Sequence, residues 1–330
     1  MSTVTASSRR FINTLADGDS IEEIYLLSDK QLRSNRNAAL YLLVELRDRS
    51  GAISARMWNV TEEQAGQVNP GDFVAIRGKV QLYQGALQMI ISQIQSVPAD
   101  RLDPADFVRQ SERDIGQLTV RLRELVQSID EPALRMLIDC FLIDEPLMAA
   151  FTMAPAGMKA HHAYRGGLLE HVVNMLEIAN RIADLIPGVD RNLLFAGIFL
   201  HDIGKTRELA YEAGYSYTDE GQLLGHLAIG VEMLSAKIAE VEKLTGETFP
   251  KELTLRLKHL ILSHHGTYEF GSPKLPMTPE AIALHHIDNL DAKVHEFCRD
   301  IADDPNQQAS FTPFNARLDR KLFKGVREGK

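Results

Sequence analysis

Only two cysteines occur in the 330 residues, Cys140 and Cys298, and no Cys-x-x-Cys spacing accompanies them. A disulfide framework and a thiolate zinc site are thereby excluded, and both thiols, set in apolar periodic segments, are expected in the core. Long hydrophobic runs are missing too. The longest before the His201-Asp202 pair covers residues 193–200 and is broken by Gly197, far short of the ~18 residues of a membrane span. The opening MSTVTASSRRFINTL has an arginine pair with no apolar block behind it, so no secretory leader and a cytoplasmic, reducing setting are expected. Positive charge is scarce as well. The net charge of −9 argues against a uniformly basic surface of the kind that meets a polyanion. Internal repeats and low-complexity tracts are absent.

What is present divides into two patterns. From residue 21 to 98 apolar residues alternate with polar ones, with Leu40, Leu42, Val44 and Leu46 on one face. Turn signals punctuate this stretch at Asp48-Arg49-Ser50-Gly51, Asn69-Pro70-Gly71-Asp72 and Tyr83-Gln84-Gly85. Four or five short antiparallel strands in this length predict a small barrel of the OB-fold type. After residue 98 the period becomes helical. Residues 168–186, 191–203, 222–245, 250–263 and 278–303 are expected as helices, and Gly204 as the stop of the nearly all-apolar second one. The fold class is therefore α+β and multidomain. The expected divisions are an N-terminal extension (1–20), the barrel (21–98), a helical connector (99–152), an all-α domain (153–303) and a basic C-terminal tail (304–330).

All eleven histidines fall in the helical half, most of them in five places, His161-His162, His171, His201, His226 and His264-His265, with Asp202 and Asp288 among them. His171 lies in line with Leu168 and Met175 at helical spacing, so it faces the core. Each buried polar group left without a partner costs about 1–3 kcal/mol, whereas metal ions satisfy several together. Side by side on a helix, His201 and Asp202 point about 100° apart, so they share a centre only at a helix terminus or across two ions. An aspartate bridging two cations suits phosphoryl displacement, where the pair clamps both oxygens and activates water. Imidazole-rich shells favour manganese, iron, cobalt, nickel or zinc over magnesium, and manganese or iron is the expectation.

The order His171, His201-Asp202, Asp288 resembles the HD-domain metal-dependent phosphohydrolase superfamily, with HDIGK in its usual form. Together with HHAYRGGLLEH, LLGHL, ILSHHGTYEFGSPKLPMTPEA and LHHIDNLDAK behind a barrel, the chain is similar over residues 20–300 to the YhaM-type 3′→5′ exoribonucleases. The resemblance implies that His171, His201, Asp202 and Asp288 are core ligands and that His226 with His264 or His265 holds a second ion. It also implies that Lys205 neutralises phosphate charge beside Asp202. Asp291, three residues after Asp288, is placed to orient a histidine. His161, His162 and Arg165 are candidates for phosphate contact, while His285, His286 and His295 read as structural.

The barrel stretch carries eight basic and eight acidic residues, so strand binding there needs a local patch. Candidates are Arg33, Arg36, Arg56, Arg77 and Lys79 with the aromatics Tyr41, Trp58 and Tyr83. Tyr41 and Trp58 are as well suited to filling the barrel, whereas Tyr83, in a turn, is expected outside. Residues 311–330 hold six basic against two acidic residues, a local +4, with Phe311, Phe314 and Phe323. The expected function is a metal-dependent 3′→5′ exonuclease acting on single-stranded RNA and also single-stranded DNA, with no membrane partner. The alternatives are a phosphodiesterase of cyclic dinucleotides or nucleotides, weakened by the lack of a GYP motif, and a strand-binding protein with an inert HD domain. A homo-oligomer is compatible with the sequence, although no segment encodes one.

Overall fold

The computed structural model describes residues 9–325 except 36, 100–101, 104–105, 108–109, 158–161, 211–215, 305 and 307–308. Arg36 and His161 thus lie outside the described residues. The chain divides after Gln110 into two compact units, the first of strands and the second largely helical.

The first unit contains β1 (Ser20–Ser34), β2 (Leu40–Asp48), β3 (Gly51–Trp58), a short helix α1 (Glu62–Gly66), β4 (Phe73–Tyr83) and β5 (Ala86–Val97). They close into a barrel in the order β1-β2-β3-β5-β4. One seam differs from the antiparallel expectation: β3 and β5 run parallel, Ser54 opposite Gln88. Five strands cannot alternate direction around a closed ring, so one neighbouring pair must be parallel. Alternation places Leu42, Val44 and Leu46 inside with Tyr25, Leu27, Ile76 and Met89. Asp48 keeps the inward phase at the rim, where it accepts hydrogen bonds from the N–H groups of Ile12 (2.6 Å) and Ser50 (2.7 Å). Thr61 and Gln64 cap α1 reciprocally. Gln84 and Gly85, at φ 52° and 83°, make the two-residue turn that matches the twist of the β4–β5 hairpin.

The second unit runs through α2 (Ile115–Val126), α3 (Pro132–Leu142), α4 (Glu145–Met153), α5 (Gly167–Ile182), α6 (Arg191–Leu200), α7 (Lys205–Glu208), a two-residue ribbon of β6 (Leu209–Ala210) and β7 (Ser216–Tyr217), α8 (Asp219–Thr245), α9 (Lys251–Ser263) and α10 (Pro279–Ala302). Helix α6 is buried from Leu193 to Leu200 and forms the centre. Its N-terminus is fixed by Asp190, which accepts from the Leu193 N–H at 3.1 Å. Helices α2 to α4, within the stretch expected as a connector, contribute Leu122, Phe141 and Phe151 to the same core. Cys140 is buried, but Cys298 is exposed, contrary to expectation, because it lies on the face of α10 that carries the exposed Leu290 and Val294. Among the described residues no helix is long and apolar enough to cross a membrane.

Gly204 does not end α6 as expected. The helix stops at Leu200, and Gly204 has ordinary helical angles, φ −62° and ψ −21°. Its role is contact: a Cβ there would lie 2.1 Å from the His226 carbonyl oxygen and 2.8 Å from the Gly230 nitrogen. Gly204→Ala is expected to cost about 3 kcal/mol by overpacking backbone against backbone. A Tm within a degree of wild type in thermal unfolding would contradict that contact.

In the basic tail, Arg317 pairs with Glu296 and with Asp300 at 3.7 Å, and Lys324 pairs with Asp304. Two of its six basic residues are therefore committed within the unit.

Candidate metal centre

Two helix C-termini and a helix kink meet at one point. His201 caps the end of α6 and His264 the end of α9, each with helical angles, so both imidazoles project from a last turn. The Nδ1 of each lies against the carbonyl three residues back, Ile198 at 2.7 Å and Ile261 at 2.8 Å. This turns each Nε2 lone pair toward the cavity. The negative ends of both helices favour a cation at the same place. Asp202 follows His201 directly and is buried with it, which answers how adjacent residues can share one centre: they sit at the helix terminus.

The third approach is made by α8, whose helix breaks at Gly225, φ 72° and ψ 157°. That break starts a new helical segment at His226 and frees its N–H. Glu208 supplies one oxygen to both groups of that residue, accepting from the backbone N–H at 2.9 Å and from Nδ1 at 3.0 Å. Burial would raise the Glu208 pKa, but the His226 contacts hold it below the usual carboxylate range. Sequence reading missed Glu208. Its signal was the spacing, three residues beyond Lys205, together with a glycine immediately before His226.

His171 on α5 completes the arrangement. Its Nδ1 lies 2.7 Å from Asp291 Oδ2 and its Nε2 lies 3.2 Å from Asp288 Oδ1, both on α10. His265 places Nδ1 on the Phe270 carbonyl at 2.9 Å. Five imidazoles, those of His171, His201, His226, His264 and His265, therefore have Nδ1 held by an acceptor and Nε2 turned inward. Such outer partners fix tautomer and ring orientation in metal sites.

The inward atoms satisfy one another only in part: His226 Nε2 lies 3.2 Å from His265 Nε2. Asp202 Oδ2 is 3.3 Å from His201 Nε2, and Asp202 Oδ1 is 3.5 Å from His226 Nε2 and 3.6 Å from His264 Nε2. His201 Nε2 and Asp202 Oδ1 are buried without a hydrogen-bond partner, an expensive arrangement that a cation resolves. His171, His201 and Asp202 form one group of ligand atoms within 4.8 Å of each other, His201, His264 and Asp288 a second, and His226, His264 and His265 a third. Asp202, with one oxygen toward His201 and the other toward His226 and His264, stands between them. The residues fit a divalent metal ion.

Electrostatics agree with a cation-ready site. Burial works to raise Asp202, but the Lys205 ammonium and His201 hold it well below the ordinary carboxylate range. Asp288 is likewise held far down against burial by its bond to His171. Burial pushes His264 down to about 3, leaving a neutral ligand. His171 goes the other way: burial alone would lower it, yet Asp288 and Asp291 raise it from 6.5 to about 9. In the metal-free chain, its contribution to stability is full below pH 6.5 and fades as pH rises through 9. A metal bound at His171 would displace that Nε2 proton. Calorimetric titration with manganese at pH 7.5, in buffers of different ionisation heat, is expected to show release of about one proton per chain. A binding heat independent of the buffer would contradict this state of His171.

The remaining sequence candidates are placed as follows. Lys205 Nζ is buried and lies 2.6 Å from Asp202 Oδ2 and 2.5 Å from the Ala156 carbonyl, so its charge sits on the central aspartate. His162 is buried at φ 45°, where Nε2 lies 2.9 Å from Asp291 Oδ2 and Nδ1 2.7 Å from the Tyr164 hydroxyl. It thus braces Asp291 from behind instead of facing solvent, and His295 stacks on it at 3.9 Å. Tyr164 in turn donates to Glu170 at 3.0 Å. Arg165 directs Nε to Met153 Sδ at 3.1 Å. His285 holds the His264 carbonyl at 2.8 Å.

On the barrel, Trp58 and Tyr83 are 42% and 47% exposed, so Trp58 does not fill the interior. Tyr41 packs on Trp58 at 5.0 Å, and the Arg56 guanidinium lies 6.0 Å from the Trp58 ring and 5.8 Å from that of Tyr83. Arg77 is paired with Glu22 at 2.6 Å, while Lys79 is exposed.

A closed five-stranded barrel and a helical unit built around convergent histidines and aspartates define a nucleic-acid-type barrel joined to a metal-dependent phosphohydrolase. Family models agree: residues 27–97 match the OB-fold nucleic acid binding domain and residues 168–293 the HD domain. The chain is 37% identical to the 3′-5′ exoribonuclease YhaM of Bacillus subtilis over 84% of its own length and 86% of that protein. It is 33% identical to the enzyme of that name from Oceanobacillus iheyensis, over 93% and 94% of the two chains, and 37% identical to that of Shouchella clausii, over 93% of each. The chain belongs to the YhaM family of 3′-5′ exoribonucleases.

Proposed function

We infer that this protein is a metal-dependent exonuclease that removes nucleotides from the 3′ end of single-stranded RNA, with manganese or iron in the centre and single-stranded DNA as a second substrate. The observation that carries the reading is the convergence of five Nε2 atoms with Asp202 and Asp288, each imidazole held by its other nitrogen. Two divalent cations there would supply Lewis-acid activation of water and neutralise charge on the phosphodiester in flight. The chain's own residues do the rest. Asp202 bridges the two ligand groups, Lys205 keeps it ionised, and Asp291, Glu208 and the two helix ends hold the rings in position. The polarity of attack and the RNA substrate are supported by the names of the relatives, and the barrel and its Arg56, Trp58 and Tyr83 cluster support strand binding. The cyclic-dinucleotide reading and the inert HD reading find no support in the family.

A time course on 5′-labelled single-stranded RNA with manganese tests the reading. A ladder shortening from the 3′ end in wild type, absent in Asp202→Ala, is expected. Intact RNA under every divalent metal would overturn it.

A further inference from the structure

The metal centre has a closed floor and an open lip. His171, His201, Asp202 and His264 are buried, whereas His226 and Asp288 keep 13% and 18% of their side chains in solvent and His265 is half-buried. Among the described residues the centre is open to solvent at His226, His265 and Asp288. Three and five residues after His265, in the turn whose Phe270 carbonyl holds that ring, stand Tyr268 and Phe270, which are 62% and 66% exposed.

Their exposure is built into the backbone. The turn Tyr268–Phe270 is bounded by Gly266 and Gly271, both at φ 80°. A Cβ on Gly266 would also strike the His285 ring at 2.1 Å. Ser272, buried, binds back through its N–H to the Thr267 carbonyl at 3.2 Å, and its hydroxyl lies 2.6 Å from the carbonyl of Lys274. The Phe270 carbonyl itself holds the ring of His265 at 2.9 Å. One short turn thus holds the His265 ring through a backbone carbonyl and leaves two aromatic rings exposed beside it in sequence. Leu223 and Leu224, just before His226, add exposed apolar surface, and Lys274 is an exposed cation on the same loop.

We propose that Tyr268 and Phe270 are the platform on which the bases next to the scissile phosphodiester stack, making this turn a positioning element that selects an unpaired, base-bearing 3′ end. The proposal rests on the nuclease reading of the centre. A base is tethered to its phosphate through a single sugar, so bases flanking a phosphate at the ions come to rest on whatever lines the lip. Aromatic faces accept every base, which suits an enzyme that must pass through any sequence. A paired end buries its bases in the duplex stack and cannot use them.

The test pairs a change in the protein with a change in the substrate. Full-length, manganese-loaded protein is given 5′-labelled RNA with an ordinary 3′ end, or with its last two residues abasic. In wild type the abasic end is expected to raise KM about a hundredfold, the effect of losing two stacked bases at about tenfold each. Tyr268→Ala/Phe270→Ala should raise KM on ordinary RNA by a similar factor, more than it lowers kcat, and should show no further penalty on the abasic end. Tyr268→Phe/Phe270→Tyr should restore wild-type behaviour. Manganese content should be unchanged, because the backbone carbonyl that holds His265 remains. Penalties that simply multiply would overturn the proposal. If they multiply and the alanine variant also sediments as a smaller particle, the aromatics are a contact between copies of the chain. Failure of wild type to degrade either RNA would instead overturn the nuclease reading on which the proposal stands.

Discussion

Asp202→Ala is expected to lower exonuclease activity by about 10³-fold or more while the barrel still binds RNA. The aspartate offers Oδ2 to the His201 side and Oδ1 to His226 and His264, so its removal disconnects the two ligand groups at once. A second effect follows in the metal-free protein. The buried Lys205 ammonium, 2.6 Å from Asp202, would lose its carboxylate, and an uncompensated buried charge costs about 3–5 kcal/mol. The two effects separate in Asp202→Ala/Lys205→Met, which should recover much of the Tm and none of the activity. Turnover in Asp202→Ala within tenfold of wild type would remove the bridging assignment.

The next largest effect is expected at a residue that carries no ligand atom in the centre. Asp291 holds His171 Nδ1 at 2.7 Å and His162 Nε2 at 2.9 Å, and its other oxygen accepts from Asn174 at 3.3 Å. Asp291→Ala frees the His171 ring and removes one of the two carboxylates that raise its pKa. Loss of such an outer partner costs about 10–100-fold in metal affinity. Manganese binding by calorimetry should weaken by that factor, and proton release at pH 7.5 should fall with it. Unchanged affinity would show that Asp288 alone orients His171.

Much of this was legible because periodicity survives folding. The alternation at Leu42, Val44 and Leu46 could be met only by a strand with one face buried, and His171 shared its helical face with Leu168 and Met175. What stayed hidden depends on partners distant in sequence. The buried side of His162 exists because α10 brings Asp291 behind it, 129 residues later. Glu208 looked like one more acid on a short helix until the kink at Gly225 offered it the N–H and the ring of His226. Gly204 was read as a helix stop, the local meaning of glycine, while its real constraint is the backbone of α8. Trp58 was ambiguous because alternation fixes which face a side chain occupies, not whether a large ring at a strand end is covered. The parallel seam of the barrel follows from counting strands around a ring, which no single segment displays.

In the proposed centre two ions would sit on either side of Asp202, held by imidazoles whose Nδ1 atoms are all engaged elsewhere. Anomalous diffraction at the manganese edge, on crystals of the loaded protein, tests it most directly. Two peaks are predicted, one bounded by His171, His201 and Asp288 and the other by His226, His264 and His265, with Asp202 between them. A single peak, or peaks away from these Nε2 atoms, would contradict the account.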